Sequence, residues 1–362
     1  MNRIRTVPLI LLGMGGVGRA FVRQVVASRR RHAERFAIHL QVTALMDSGG
    51  AVVEPRGLDD DSLLALERAK AQGTPLARTP LGYLAADAQA IVDVAGADDA
   101  IVVDCTASEK VIPALEMALD RGYGVVLANK KPLSGPLSLF RRLTATRRLR
   151  HEATVGAGTP VVATLDALMR SGDDVSQIVA ALSGTLGFLM SELQAGRPFS
   201  AAVRQAHALG YTEPDPRDDL SGADVARKAL ILARMLGWEL EMADVRVEPL
   251  YSQSLAEGSV EEFLAGLEAL DQAFAATVQE ARERSEALRY VATLADGQCA
   301  VGVRAVPFAS PLGRLTGNDN LVEFHTRWYT PNPLVLQGRG AGADATAAGV
   351  LADVIALAQC MG

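Results

Sequence analysis

The densest set of chemically able side chains lies between Gly210 and Lys228, where Tyr211, Glu213, Asp215, Arg217, Asp218, Asp219, Asp224 and Lys228 fall within nineteen residues. Pro214, Pro216 and the flanking Gly210 and Gly222 predict a fixed loop. The stretch 222–236 predicts a helix, which puts Asp224 and Lys228, four apart, on one face. An exposed ion pair there would be worth only a few tenths of a kcal/mol. A lysine held among acids in a cleft has a further use, because the acids orient it and set its acidity. It can then anchor a carbonyl oxygen and deliver a proton.

A second constellation sits near the N-terminus, where Gly13-Met14-Gly15-Gly16-Val17-Gly18 follows the apolar run Val7 to Leu12 and precedes a helical pattern. Strand, tight turn and helix in this order form the dinucleotide fingerprint. The first glycine makes the turn, the second admits a pyrophosphate, and the third lets helix and strand pack closely. Asp47 ends the next strand candidate. It is placed either to bond a ribose 2′-hydroxyl and repel a 2′-phosphate, favouring NAD, or simply to form a turn before Ser48-Gly49-Gly50. Thr106 and Lys130 each follow a later strand candidate, on the sheet edge where such folds take ligands. Cys105 is weighed as a nucleophile, but no histidine is near it in sequence and it reads as a core cysteine.

The elements that must position these residues are legible. Strand candidates at 7–12, 38–46, 101–105 and 124–127 alternate with helical patterns, including 109–120, and predict an α/β, Rossmann-type doubly wound parallel sheet. After about residue 150 the texture changes to strand runs at 177–182, 288–294 and 300–306 interleaved with helices over 222–236 and 261–284, an α+β domain. The expected division is a dinucleotide-binding domain over 1–155 and a substrate-binding domain over 156–337. A small-residue helix opened by Gly338-Arg339-Gly340-Ala341-Gly342 returns to the first domain.

Composition closes off other classes. With 36 basic and 42 acidic residues the 362-residue chain carries −6, so its surface repels phosphate backbones and nucleic acid is not an expected partner. No stretch approaches the roughly 20 uninterrupted apolar residues of a membrane span. Cys105, Cys299 and Cys360 are widely separated and fit a reducing cytoplasm.

These motifs, together with Ala128-Asn129-Lys130-Lys131-Pro132, 152–160, Ser183-Gly184-Thr185 and 337–350, resemble the homoserine dehydrogenase family through nearly the whole chain. The Gly210–Lys228 block is the specific part. The resemblance implies NAD(P)-dependent interconversion of L-homoserine and L-aspartate 4-semialdehyde, in threonine and methionine biosynthesis. It implies that Lys228 transfers the proton with Asp224 as its carboxylate partner, and that Lys130 lies where nicotinamide and substrate meet. By the same carry-over Glu213 holds the substrate ammonium, and Tyr211, Gly184, Thr185 and Asp219 line the amino-acid pocket. Thr106 and Gly342 touch the cofactor. Glu152 and main-chain oxygens of Val155, Ala157 and Thr159 hold a structural sodium or potassium ion, and the second domain forms a homodimer. Arg339 departs from the family's turn, which carries a small residue or proline there. Neither a kinase half nor a C-terminal regulatory domain is read in the chain, so weak end-product control is expected. Two alternatives are a related oxidoreductase acting on another small amino-acid aldehyde or alcohol, and a dinucleotide-binding sensor without catalysis.

Overall fold

The structure is a computed structural model that describes residues 4–84 and 87–361. The chain divides into two units, Met1–Gly158 with Gly342–Gly362, and Thr159–Ala341.

The first unit is built on strands β1 (Arg5–Leu12), β2 (Ile38–Asp47), β3 (Gly50–Val53), β4 (Ile101–Asp104), β5 (Gly124–Leu127) and β6 (Leu149–Arg150). Their order in the sheet is β3-β2-β1-β4-β5-β6. All neighbours run parallel except β3, which folds back antiparallel on β2. The central strands are fully buried, as a parallel sheet covered on both faces requires: Leu9 to Leu12, Ile101 to Val103 and Val125 to Leu127 are 0% exposed. Pro8 is tolerated in β1 because pairing with β4 begins only at Leu9.

The helix Gly16–Phe36 buries Phe21, Val22 and Val25 on this sheet. The returning helix, Ala343–Cys360, packs against it through Ala347, Val350, Val354 and Leu357. By length and composition this last helix would also suit a membrane, but its apolar face lies in the core of the unit. The glycine-rich segment does not open the helix at Gly338, as the sequence suggested. Gly338 and Arg339 end a strand, and the helix starts at Ala343 after Gly342, whose φ of +109° is a conformation that side-chain-bearing residues rarely adopt.

The second unit is a six-stranded sheet of β7 (Val175–Ala181), β8 (Arg246–Val247), β9 (Glu286–Ala295), β10 (Gln298–Pro307), β11 (Asp319–Thr326) and β12 (Leu334–Arg339), in the order β12-β11-β7-β9-β10-β8. Its pairs are antiparallel save β8 with β10. Helices Gly184–Gln194, Ala223–Met235 and Asp271–Glu283 pack on it. The single helix expected over 261–284 is broken into Val260–Gly266, a 3-10 turn Leu267–Leu270 and Asp271–Glu283. The break is set by tertiary contacts: Leu267 is 0% exposed, and Asp271 accepts hydrogen bonds from the amide and hydroxyl of Ser200 at 2.7 and 2.8 Å.

Candidate active site

In the first unit the glycine turn is shaped for a bound anion. Gly13 takes φ +97°, and a side chain there would strike the Cys105 carbonyl at 2.8 Å. A Cβ on Gly18 would stand 1.9 Å from the Gly13 oxygen, so only hydrogen allows the helix to start this close to the strand. Gly15 faces open space, with nothing within 4 Å of an added Cβ. Val17 lies in the first turn behind it, half-buried against the core. The 21-residue helix begins with Gly15 as its cap, with no side-chain cap bond and no acid in its first turn. Its N–H groups and positive dipole end therefore meet solvent where a pyrophosphate would sit. These residues fit a dinucleotide.

The neighbouring strand ends are tied into one network. Asp104, 0% exposed at the end of β4, accepts from the Thr106 amide at 2.8 Å and from Asn129 Nδ2 at 3.0 Å. Burial pushes its carboxyl up, and these bonds only partly offset that. Asn129 also donates to the Ser108 carbonyl at 2.9 Å and accepts from the Lys131 amide at 3.1 Å. That fixes the turn carrying Lys130, which caps the short helix Lys131–Ser134. Asp104 and Asn129 stand inside segments the sequence reading picked out, but their part in aiming Thr106 and Lys130 was not visible there. Burial and the adjacent Asp104 raise the Cys105 thiol well above its ordinary range, which keeps it neutral and agrees with the core-cysteine reading.

Asp47 sits one residue past the contact between the two strand ends, where the Gly13 amide donates to Met46 O at 2.8 Å. Its carboxylate already holds the Gly49 amide, the Leu76 amide and the Lys70 ammonium. Both sequence readings of Asp47 thus acquire partners that the sequence did not reveal.

In the second unit the structure brings together the acidic loop and the lysine helix. Lys228, 9% exposed, donates to Leu182 O at 2.6 Å and pairs with Asp224 at 2.9 Å. It is therefore no surface lysine. Leu182 directly precedes Ser183, whose hydroxyl caps the helix Gly184–Gln194 by accepting from the Leu186 amide. Thr185, in the first turn of that helix, donates its hydroxyl to Tyr211 O at 2.6 Å. Tyr211 stacks edge-on against Phe188 with centroids 5.2 Å apart. Gly184 approaches the Asn318 carbonyl, 3.1 Å from where a Cβ would stand.

The Glu213 amide donates to Asp219 Oδ2 at 2.7 Å. Burial raises the Asp219 carboxyl, and the charges of Glu213 and Asp224 raise it further, against the Glu213 amide and the Thr185 hydroxyl, which favour its ionised form. Of the other acids, Asp215 caps the helix Pro216–Leu220 and is held by Arg217 through side-chain bonds of 2.7 to 3.0 Å, which keep its carboxyl below the usual range. Arg217 in turn reaches the carbonyls of Ala256 and Gly258. Asp215 and Arg217 thus shape the loop, while Glu213 is exposed and, among the described residues, its carboxylate is not taken by any donor. Tyr290, which no sequence signal marked, fixes the start of the lysine helix: its hydroxyl lies 2.0 Å from where a Cβ of Gly222 would stand, and donates to Glu248 O at 2.9 Å.

The loop 152–159 carries the implied cation ligands. Glu152 is 7% exposed and its amide donates to Asp353 Oδ2 at 2.7 Å. Burial raises the Asp353 carboxyl to about 7. Ala157 takes φ +54°, a turn that redirects the main chain between Val155 and Thr159.

Comparison with known proteins points to one family. The family model described as homoserine dehydrogenase, NAD binding domain, matches residues 13–154, and the homoserine dehydrogenase model matches residues 160–355. A homoserine dehydrogenase of Emericella nidulans is 36% identical, over 95% of this chain and 96% of its own. A bifunctional aspartokinase/homoserine dehydrogenase of Haemophilus influenzae is 35% identical over 99% of this chain, which spans only 43% of that relative. The chain likewise spans 39% of the bifunctional proteins of Zea mays and Daucus carota. In structure, a Candida auris protein of unknown function superposes with a TM-score of 0.86 at 31% identity, covering 98% of each chain. With the glycine turn in one matched segment and the acidic loop and its lysine in the other, the chain belongs to the homoserine dehydrogenase family.

Proposed function

We propose that the chain interconverts L-homoserine and L-aspartate 4-semialdehyde with NAD or NADP. The observation that carries this reading is the buried Lys228 ammonium, held between Leu182 O and Asp224 beside the acidic loop. A bound nicotinamide supplies or accepts the hydride at the substrate carbon that is an aldehyde in one direction and an alcohol in the other. In the reducing direction Lys228 donates a proton to the carbonyl oxygen as negative charge develops there, and in the oxidising direction it takes that proton back. Asp224 keeps the ammonium oriented, while the Leu182 carbonyl fixes its position. Glu213 pairs the substrate ammonium by a charge-assisted contact, with Asp219, Tyr211, Gly184 and Thr185 shaping the amino-acid pocket around it. Gly13, Gly15, Gly16, Val17, Gly18, Thr106 and Gly342 receive the dinucleotide, and Lys130 stands at the end of β5 in the same unit. Reduction of NAD or NADP that depends on homoserine tests the reading; no turnover with either would reject it.

The role given to Glu213 makes a separable prediction. A ligand of the ammonium is needed in ground and transition states alike, so Glu213→Gln raises KM for homoserine by about tenfold or more with a smaller fall in kcat. Steady-state kinetics at saturating dinucleotide reads this directly, and a fall in kcat alone would contradict it.

Two further features belong to the same reading. The buried Glu152 beside the redirected Ala157 turn suits a monovalent cation held by Glu152 and the main-chain oxygens of Val155, Ala157 and Thr159. Sodium or potassium chloride should then raise the melting temperature above that in choline chloride at equal ionic strength, and identical melting in all three would remove the cation. A homodimer is supported by the outer face of the second sheet. There one row across Val335, Glu323, Val179 and Thr293 is half-buried apart from Glu323, whose Oε1 lies buried without a partner among the described residues. Covering that face with a second copy would bury apolar surface. Sedimentation equilibrium giving a monomer at micromolar concentration would refute it. Free thiols at Cys105, Cys299 and Cys360 fit a reducing compartment such as the cytoplasm.

A further inference from the structure

Arg289, in β9, is a buried cation with no anion of its own. It is 5% exposed, and among the described residues no carboxylate pairs with it. The residue opposite it in β10 is a second cation, Arg304, which Glu248 holds at 3.2 Å. A charge is costly to bury unless bonds and dipoles replace its water. Main-chain carbonyls do so here. Nε donates to Leu312 O at 2.9 Å, Nη2 to Gly313 O at 2.8 Å and Leu315 O at 2.6 Å, and Nη1 to Leu288 O at 2.7 Å. Apart from Leu288, these acceptors belong to the connection 308–318 between β10 and β11. A planar guanidinium bonded to several carbonyls at once fixes both the place and the orientation of that main chain. Leu312 and Leu315 add to the hold by packing on Ala181, Val291 and Leu321 of the sheet.

Just past Leu315 the connection meets the helix Gly184–Gln194. The Gly317 amide donates to Ser191 Oγ at 3.0 Å. A Cβ on Gly187 would stand 3.2 Å from Gly317 O, as one on Gly184 would stand 3.1 Å from Asn318 O. Glycine at both positions lets the helix lie flush on this stretch of main chain, and the Ser191 bond keeps it there. Thr185, in the first turn of the same helix, reaches Tyr211 O and favours the ionised form of Asp219. One wall of the amino-acid pocket thus rests on a connection that Arg289 holds from its other side.

We propose that Arg289 is a positioning residue for the amino-acid substrate, holding the connection 308–318 so that the carbonyls of Gly317 and Asn318 seat Gly184 and Thr185 at the pocket. This rests on the reading of the second unit as the homoserine site. Lys228 is anchored at Leu182, just past the end of β7 and ahead of this helix, so the proton-transferring group keeps its place when the helix loosens. The effect of losing Arg289 therefore falls on substrate binding more than on turnover.

The test is steady-state kinetics of Arg289→Met, with fluorescence titration of NAD and NADP alongside. Methionine fills much of the space without the charge. The variant raises KM for homoserine by about tenfold or more, while kcat changes by less than about threefold and both dinucleotide Kd values stay within about threefold of the parent. A purely structural arginine would instead lower the melting temperature and the active fraction, leaving KM where it was. Should Arg289→Met fail to fold, Ser191→Ala decides: it removes only the bond to the Gly317 amide, lies outside the pocket, and raises KM for homoserine by about threefold or more with kcat within about twofold. An unchanged KM in the folded variant overturns the proposal, as does an equal weakening of homoserine and dinucleotide. Absence of homoserine-dependent turnover in the parent protein would instead overturn the reading of the site, and the role of Arg289 with it.

Discussion

Lys228→Ala is expected to lower kcat by about 10²-fold or more, the range that follows loss of a positioned acid or base, while dinucleotide affinity stays unchanged. The side chain lies in the second unit, and the glycine turn that would take the pyrophosphate lies in the first. Burial adds a consequence that a surface lysine would not have. The alanine variant leaves Leu182 O without its 2.6 Å donor and Asp224 without its ion pair, so the melting temperature falls, by an amount corresponding to about 1–3 kcal/mol. Chemistry and stability must therefore be separated. Lys228→Met refills the apolar part of the space, and Lys228→Arg restores charge but not the compact ammonium. If Lys228 carries the proton, both turn over slowly even where their melting approaches that of the parent. Turnover of any folded variant within about fivefold of the parent would remove the lysine from the mechanism.

The second large effect is expected at the glycine turn, where two substitutions of the same size should behave differently. Gly18→Ala places a Cβ 1.9 Å from the Gly13 oxygen, a backbone clash that no side-chain rotation relieves. Strand and helix must part, at a cost of about 3 kcal/mol or more, and dinucleotide binding is lost with the turn. Gly15→Ala meets nothing within 4 Å, and Gly15 has a φ of −77° that alanine adopts without strain. That variant should melt like the parent yet bind dinucleotide at least about tenfold more weakly, because its methyl group stands in the space a pyrophosphate needs. Thermal melting beside fluorescence titration with NAD and NADP separates the two. Unchanged affinity in Gly15→Ala would mean that the open space is not the phosphate site.

Much of the architecture was legible because its signals are local. The strand β1, the glycine turn and the helix after it follow from an apolar run, four glycines at fixed spacing and a 3.6-residue pattern within 36 residues. Neighbours along the chain dictate all three. The helix carrying Asp224 and Lys228 was readable for the same reason, and so was the four-residue spacing that pairs them. The strands β11 and β12 were not. Asn320 and Glu323 interrupt any clean alternation, and both are buried only because the adjoining strands and loops cover them. The break at Leu267–Leu270 escaped in the same way, since helical periodicity continues across it and only contacts such as Ser200 with Asp271 require the turn.

The sequence by itself determined which residues could do chemistry: a glycine turn able to admit a phosphate, and a lysine four residues from an acid after a proline-bounded loop. What those side chains touch was decided only by the tertiary structure. Lys228 meets the carbonyl of Leu182 across 46 residues, and Asp47 meets Lys70 across 23. Such partners are chosen by how strands and helices pack, and the spacing of residues along the chain carries no record of them. The difference decides the chemistry. An aspartate with no partner and an aspartate held by an ammonium are the same letter in the sequence, yet they present different charges to a ligand.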